Sequence, residues 1–424
     1  MHSGESANAR RGWGWPALIA VLIWLALLAI TLVPEWRVAA AAELSWMLAP
    51  LYHDWQVLRL GWAAAADGVD PLALASHPFN YPRAALAPAW VGAQNVPLFI
   101  AGLLLAAAVL GALLVLLRPS SLGQAILAAV LIASPPVLLL LERGNLDAVV
   151  LVLVVAGLGG LAPGRTRGLH LAGVAALVVA ALVKWYPAAV LLGLAGVWRD
   201  TRRYLVLGAL AVVTGWIALN GEEVALVMQK TTRGLVPAYG RMLLGSRYYV
   251  EAIRPTVDAA TGDAWLRGAM QVSLVCCVIG YLAAACVGWR SWRHFGALLR
   301  DEREVGCFLA GASIYAGTFL LGSNWSYRLV FLLLTIPLLW RMWSEADTRT
   351  WGGLGLATVG VVVMSPFVLP LPVFLLQQGV AWVLAFYLVA VVVALAFGMG
   401  KRDGWPHALG RDGIVPETHE NSGS

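Results

Sequence analysis

Hydrophobic residues occur along this chain in long, nearly uninterrupted runs that short polar stretches separate. About twelve runs approach the length of about 20 residues that a helix needs to cross a bilayer. They lie at 16–33, 96–117, 122–141, 146–161, 168–183, 187–198, 204–219, 269–288, 305–322, 328–340, 351–369 and 373–398. The runs at 187–198 and 328–340 are short and predict half-helices or spans that extend into polar neighbours. The pattern predicts an all-α polytopic membrane protein with about twelve transmembrane helices.

The composition agrees with a membrane protein. Of the 424 residues, 60% are hydrophobic and only 12% are charged, whereas soluble domains carry about 25% charged residues. So few charges cannot cover several globular domains with solvated surface, which excludes a soluble protein. The four cysteines fall within predicted spans, which favours packing over a disulfide framework.

The basic residues predict the orientation. With the N-terminus in the cytoplasm, twelve crossings place 17 of the 29 Lys and Arg residues in inner loops and tails. This satisfies the positive-inside rule and explains the net charge of +6 without a nucleic-acid partner. We expect cytoplasmic tails at 1–15 and 399–424, an uncleaved signal anchor in the first run, and one membrane domain at 16–398 in the cytoplasmic membrane.

Two outer segments, 35–95 and 220–268, are too long to be simple connections, and we expect both to contain amphipathic surface helices. The first carries apolar residues at helical spacing and predicts an amphipathic helix on the outer membrane surface. These apolar residues are Leu44, Met47, Leu48, Leu51, Trp55 and Leu58. The second mixes six basic and five acidic residues with tyrosines. That mixture suits a sugar or a lipid headgroup, although a solvated loop would show the same composition.

Ionisable residues also stand at the outer ends of the predicted spans, in the short loops 142–147, 184–187 and 323–328. A charge near the membrane interior costs about 2.5 to 3.5 kcal/mol on insertion scales and usually faces a cavity or a partner. Lys184 and Arg328 lie on the side that the positive-inside rule disfavours, and their own loops contain no acidic residue. We therefore expect an anionic group to meet them.

Structural roles remain open for each of these residues. Lys184 could reach lipid phosphates, Arg328 could pair with a carboxylate of the loop 142–147, and Arg143 could pair with the acidic residue before it. Asn145 and Asp147 could cap the helix that follows. Their occurrence together at one face still favours a common ligand.

A polyprenyl phosphate sugar is an anionic lipid that would meet these cations. Breaking its anomeric bond puts charge on the departing phosphate, which fixed cations would stabilise. We assign phosphate binding to Lys184, Arg328 and Arg143. The acceptor hydroxyl would need a base, and Asp54, beside His53 on the surface helix, is the best-placed carboxylate. As an alternative, Asp54 could be a solvated residue on the polar face of that helix.

The order of these motifs resembles the GT-C superfamily of integral-membrane glycosyltransferases and is most similar to glycosyltransferase family 87. The resemblance covers the membrane layout of nearly the whole chain, but its motifs occupy only a small part of the sequence. The motifs are the early Asp54, Gly-x-Asp-Pro at 68–71, Asn-Tyr-Pro at 80–82, Gly-Asn-Leu-Asp at 144–147, Lys-Trp-Tyr-Pro at 184–187 and Tyr-Arg at 327–328.

The resemblance implies transfer of mannose or arabinofuranose from polyprenyl phosphate at the outer face, to a glycolipid or cell-envelope glycan. It implies that Asp54 is the general base and that the matching polar residues line the substrate cleft. With the polar neighbours of these motifs, the predicted substrate-binding residues are His53, Asn80, Tyr81, Glu142, Asn145, Asp147, Tyr186, Asn324 and Tyr327.

The chain departs from its relatives in the first outer segment. Where related proteins often have Tyr-Pro-Pro, this chain has Tyr81-Pro82-Arg83. Relatives that need a divalent metal show paired acidic residues there, whereas His53-Asp54-Trp55 offers a single carboxylate. We therefore expect no metal and no other cofactor, and as partners only the donor, the acceptor and membrane lipids.

Other functions share part of this pattern. A transporter or flippase for a lipid-linked sugar or a small solute would also have about a dozen spans and intramembrane charges. A polysaccharide ligase or an acyltransferase would also act at the outer face, and an acyltransferase would use His53 or His77 as its base. A pocket closed by the outer segments favours an enzyme, whereas a cavity at mid-membrane favours transport.

Overall fold

Helices make up most of the described residues in the computed structural model. It describes residues 14–33, 51–119, 121–196, 200–231, 238–322, 324–365 and 369–402. Two short strands, Ala238–Tyr239 (β1) and Asn324–Trp325 (β2), pair antiparallel. Most of the predicted tails, at 1–13 and 403–424, and the first half of the predicted surface helix with Leu44, Met47 and Leu48 lie outside the described residues.

Sixteen α-helices occur in the described residues. They are α1 (Gly14–Leu32), α2 (His53–Ala66), α3 (Leu98–Leu117), α4 (Leu122–Ile132), α5 (Pro135–Arg143), α6 (Leu146–Gly160), α7 (Arg167–Val183), α8 (Ala188–Ala195), α9 (Thr201–Leu219), α10 (Gly221–Lys230), α11 (Leu243–Tyr248), α12 (Ala259–Ser291), α13 (Glu302–Leu321), α14 (Ile336–Ser344), α15 (Arg349–Met364) and α16 (Leu371–Arg402). A π-helical turn covers Tyr249–Ile253, and 3-10 helices cover Arg83–Val91, Ala93–Asn95, Arg254–Thr256, Trp292–Arg300, Ser326–Thr335 and Ala346–Thr348.

Several of these helices are long and apolar enough to cross a membrane. Five pass by length and composition, namely α3, α9, α12 with its 3-10 continuation, α13 and α16, and seven pass if each of two bent pairs is one span. Every predicted hydrophobic run falls on a helix, but the count of about twelve spans is not confirmed. The reason is length, because α6 has 15 residues and α8 has 8, which rise only about 22 and 12 Å against a core of about 30 Å.

The first bent pair interrupts the predicted run 122–141, whereas the second joins the separate predicted runs 328–340 and 351–369. The axes of α4 and α5 differ by 43°, and Ser326–Ser344 differs from Ala346–Met364 by 115°. The first bend coincides with Pro135 and Pro136 at the start of α5, where proline is tolerated because those amides need no helical partner. The bend directs α5 so that its last residue, Arg143, reaches the site described below.

The described residues of the second outer segment are mostly helical. They contain α10, β1 and α11, and α12 begins at Ala259, ten residues before the predicted span at 269. Strand β1 pairs with β2, which directly precedes the 3-10 helix Ser326–Thr335. This pairing ties the second outer segment to the polar residues at 324–328.

Close helix crossings depend on glycine. A Cβ added at Gly311 of α13 would lie 2.5 Å from the carbonyl oxygen of Phe331, and one added at Gly173 of α7 would lie 2.7 Å from that of Gly157 of α6. Neither backbone could approach so closely with a larger residue. The first crossing joins α13 to the buried 3-10 helix Ser326–Thr335, at the centre of the core.

Gly173→Ala should destabilise the protein, because the added methyl group meets the backbone of α6. Overpacking of this kind typically costs about 1 to 3 kcal/mol. Gly168→Ala on the same helix is the matched control, since no atom lies within 4 Å of its added Cβ. Thermal unfolding in detergent should show a lower melting temperature for Gly173→Ala only. Equal melting temperatures would contradict the close α6–α7 crossing.

Candidate active site at the heads of the helices

Asp54 lies in the first turn of α2 and is buried, with 8% of its surface exposed. The interpretation of Asp54 as a solvated polar-face residue is therefore wrong. The turn before α2 is tied to the end of α5, because the Tyr52 amide donates a hydrogen bond of 2.7 Å to the Glu142 carbonyl oxygen. Gly144, with φ of 57°, follows α5, and an added Cβ there would lie 3.2 Å from Trp55. Glycine thus lets this turn pack directly against α2.

Both oxygens of Asp54 are held by this turn. Arg143 forms a salt bridge with Oδ1, and Nδ2 of Asn145 donates a hydrogen bond of 2.6 Å to Oδ2. Each carboxylate oxygen can accept a second hydrogen bond. The two donors therefore fix the orientation of the carboxylate and leave each oxygen with a further acceptor position.

Asn145 connects Asp54 to the other polar residues. Its Nδ2 also donates to the Tyr327 hydroxyl at 3.0 Å, and its Oδ1 accepts from Nζ of Lys184 at 2.9 Å. The same Oδ1 accepts a hydrogen bond of 2.9 Å from the Asp147 amide, so Asn145 also caps α6. This confirms the alternative prediction that Asn145 caps the helix that follows it. One amide group therefore separates the Asp54 carboxylate from the Lys184 ammonium.

Asp147 pairs with the two cations for which the sequence suggests an anion. It has no solvent exposure. It forms a salt bridge with Lys184, and its Oδ2 lies 3.1 Å from Nε of Arg328. The anionic group that pairs with these cations in the structure is thus the Asp147 carboxylate. This agrees with the alternative prediction that Arg328 pairs with a carboxylate of the loop 142–147. Two cations share one carboxylate, so the trio carries a net positive charge.

Aromatic rings cover both cations. Nζ of Lys184 lies 5.1 Å from the centroid of the Tyr81 ring, and Cζ of Arg328 lies 5.0 Å from that of Tyr186. Both distances suit cation–π attraction. Arg328 also donates to Oδ1 of Asn324, which is buried beside it. These contacts hold the cations in place beside the cavity described next.

A cavity of about 400 Å³ opens beside these residues. Seven predicted site residues line it: Asn80, Tyr81, Lys184, Tyr186, Asn324, Tyr327 and Arg328. In the part of the chain that the structure describes, Lys184 and Arg328 are the charged lining residues. Asp54, Arg143, Asn145 and Asp147 stand behind this wall and join it through the hydrogen bonds above. Glu142 is buried beside Arg143, and His53 is half-buried on α2 without lining the cavity.

Sequence reasoning missed the apolar wall of this cavity. Val224, Val227 and Met228 of α10 line it, with Met242 and Leu321. Met228 and Leu321 are 60% and 75% exposed at its edge. The four-residue spacing of Val224 and Met228 is the helical signal that could have identified this wall within the segment 220–268.

Ion pairs hold α10 over the cavity. Arg83 lies 2.6 Å from the carboxylate of Asp70 and 3.3 Å from that of Glu223. Lys230 at the end of α10 donates to the carbonyl oxygens of Pro71 and Leu74. Arg83, the residue at which this chain departs from Tyr-Pro-Pro, thus joins the first outer segment to the second.

Two aromatic groups of the first outer segment are neutral. Burial and the negative charge of Asp54 raise the pKa of Tyr81 well above its ordinary value, so its hydroxyl stays protonated. Burial and the positive charge of Lys230 lower the pKa of His77. Nδ1 of His77 accepts a hydrogen bond of 3.1 Å from the Phe79 amide, and His77 does not line the cavity. Neither histidine proposed for an acyltransferase therefore faces this cavity.

Comparisons with known proteins do not assign a family. No family model, curated protein or solved structure matches the chain. The resemblance to glycosyltransferase family 87 thus stays a prediction that rests on its motifs. Among the described residues, no three His, Cys, Asp or Glu side chains converge as a metal site requires. The expectation that no metal is needed also stays a prediction.

Asp147→Asn should destabilise the protein strongly, because it leaves Lys184 and Arg328 with an uncompensated buried charge. Removing one partner of a buried ion pair typically costs about 3 to 5 kcal/mol. Thermal and denaturant unfolding would measure the loss. Asp263→Asn is the control, since Asp263 is exposed. Adding Lys184→Gln to Asp147→Asn should restore part of the stability, and no recovery would argue against the pair.

Proposed function

We propose that the protein is a membrane glycosyltransferase. It transfers a mannosyl or arabinofuranosyl unit from a polyprenyl phosphate sugar to a glycolipid or cell-envelope glycan at the outer face of the cytoplasmic membrane. The observation that carries the proposal is the separation of charge at the cavity. Cationic Lys184 and Arg328 face the cavity, and the carboxylate of Asp54 lies one amide group behind Lys184.

The cavity supports a lipid-linked anionic donor. Its volume lies within the range of about 300 to 1,000 Å³ that is typical of small-ligand sites, and its cationic side suits a phosphate. Its apolar wall on α10, exposed at Met228, offers a surface for a prenyl chain. A free sugar nucleotide would gain nothing from that wall.

The reaction is an inverting displacement. The acceptor hydroxyl attacks the anomeric carbon while its proton passes to Asp54, so a new glycosidic C–O bond forms. The anomeric bond to the phosphate oxygen breaks, and its electron pair leaves with polyprenyl phosphate. Lys184 and Arg328 stabilise the charge that develops on this leaving group. Arg143 and Asn145 hold the carboxylate in the orientation that proton transfer requires.

The position of the cavity favours this proposal over a transporter. The cavity lies at the heads of α6 and the 3-10 helix Ser326–Thr335, and two outer segments contribute walls to it through Tyr81 and Val227. Transporters bind their substrates near the midplane, between repeated halves. The sequence shows no matching halves either.

Asp54→Asn should abolish most transfer, and thermal unfolding of the same variant should show a folded protein that is less stable because Arg143 loses its salt bridge with Asp54. Removing a general base typically lowers the rate by about 10² to 10⁴. The measurement is the initial rate of radiolabelled sugar transfer from polyprenyl phosphate mannose or arabinofuranose, with membranes that supply the acceptor. Asp67→Asn, an exposed acidic residue at the other end of α2, is the matched control.

The transfer assay, together with an assay of donor movement across vesicles, distinguishes the base assignment from a flippase. Wild-type rates in Asp54→Asn would reject Asp54 as the base. If the reconstituted protein moves the labelled donor across a vesicle membrane but transfers no sugar, a flippase replaces the glycosyltransferase.

A further inference from the structure

A second group of cations lies at the opposite ends of the helices that carry the candidate active site. Arg118 follows α3, Arg165 lies between α6 and α7, and Arg303 is in the first turn of α13. All three line one cavity of about 210 Å³. Helix α6 starts beside Asn145, and its 15 residues rise about 22 Å toward Arg165. The two cavities are therefore separate sites.

The three guanidinium groups repel one another. Burial, together with the positive charges of Arg303 and Arg165, lowers the pKa of Arg118. Arg303 donates a hydrogen bond of 2.9 Å to the carbonyl oxygen of Val115, which fixes it at the cavity. A neighbouring cavity of about 200 Å³ shares Arg118 and Arg303 with the first. The three arginines therefore concentrate positive charge around two neighbouring cavities.

The nearby carboxylates of the described residues are engaged with other arginines. Glu304 lies 3.0 Å from Arg341, and Asp301 lies 3.8 Å from the same side chain. Glu302 lies 2.7 Å from Arg202. None of these acidic residues lines the cavity that holds the three arginines, although Glu304 lines its neighbour. The charge of the three arginines is therefore not neutralised within their own cavity.

The rest of the cavity wall is apolar. Val115 and Leu116 of α3 line it with Val155, Leu158 and Gly159 of α6. Val115 is 43% exposed, so the apolar side of the cavity opens on the lateral surface of the helix bundle. A basic rim above an apolar wall between membrane helices is typical of a site for an anionic lipid headgroup.

We propose that Arg118, Arg165 and Arg303 bind the phosphate of an anionic membrane lipid, whose acyl chain lies along α3 and α6. The positive-inside rule explains why each arginine is on this side. It does not explain why three separate connections bring their guanidinium groups to one cavity. A bound phosphate removes the repulsion, and the apolar wall distinguishes a lipid from a free anion.

The test is lipid titration of the purified full-length protein in detergent, followed by native mass spectrometry and thermal unfolding. Phosphatidylglycerol should bind more tightly than phosphatidylcholine and raise the melting temperature. The triple variant Arg118→Gln, Arg165→Gln, Arg303→Gln should weaken phosphatidylglycerol binding about tenfold or more. The matched control replaces three exposed arginines, Arg290, Arg293 and Arg349, with Gln and should leave binding unchanged.

A second variant protects the test from loss of folding. Arg165→Gln alone changes an exposed side chain, and it should weaken binding without lowering the lipid-free melting temperature. Undiminished phosphatidylglycerol binding in both variants would overturn the site, as would equal binding of the two lipids. Inorganic phosphate is the comparison ligand that separates a lipid site from a site for a free anion. If it stabilises the wild type as much as phosphatidylglycerol does, the apolar wall contributes nothing and the lipid proposal is wrong.

Discussion

A carboxylate without solvent exposure has to be compensated by charge, and the polar end of this helix bundle is organised around such a group. Asp147 holds Lys184 and Arg328, which come from two other chain segments. Asn145 in the same turn extends the contacts to Asp54. Three helix heads and the start of α2 therefore meet at one place, because each contributes a group that would be costly to bury without the others.

The apolar packing sets the geometry that these charges require. Pro135 ends α4 and redirects α5, Gly144 lets the following turn lie against α2, and Gly311 brings α13 onto the helix that begins at Ser326. These contacts set the directions of the helices before any polar contact is made. The polar groups then select one arrangement of the helix heads, since a misplaced head would leave Asp147 unpaired.

The sequence predicts much of this site and less of the fold around it. Seven of the predicted residues line one cavity. The two charged ones, Lys184 and Arg328, are predictable because rare charges in an apolar chain have few structural uses. The pairing of Lys184 with Asp147 joins separate loops, so no local pattern reveals it. An amphipathic helix is predicted somewhere in 220–268, but the position of α10 at the cavity is not, because its apolar residues lie in a segment with mixed charges. The number of spans stays unresolved because hydropathy reports apolar length and not whether a helix is straight, bent or too short.

The energetics of the polar network argue for a role beyond stability. A buried ion pair contributes little net stability, and well-packed hydrophobic residues of similar volume are often as good or better. In a chain with 12% charged residues, apolar side chains could fill this space at lower cost. What apolar residues could not provide is two cations at a cavity wall with a carboxylate held one amide group behind them. The proposed transfer would use both features, because an anion would bind to the cations and the carboxylate would accept a proton, and this gives the network a use beyond packing.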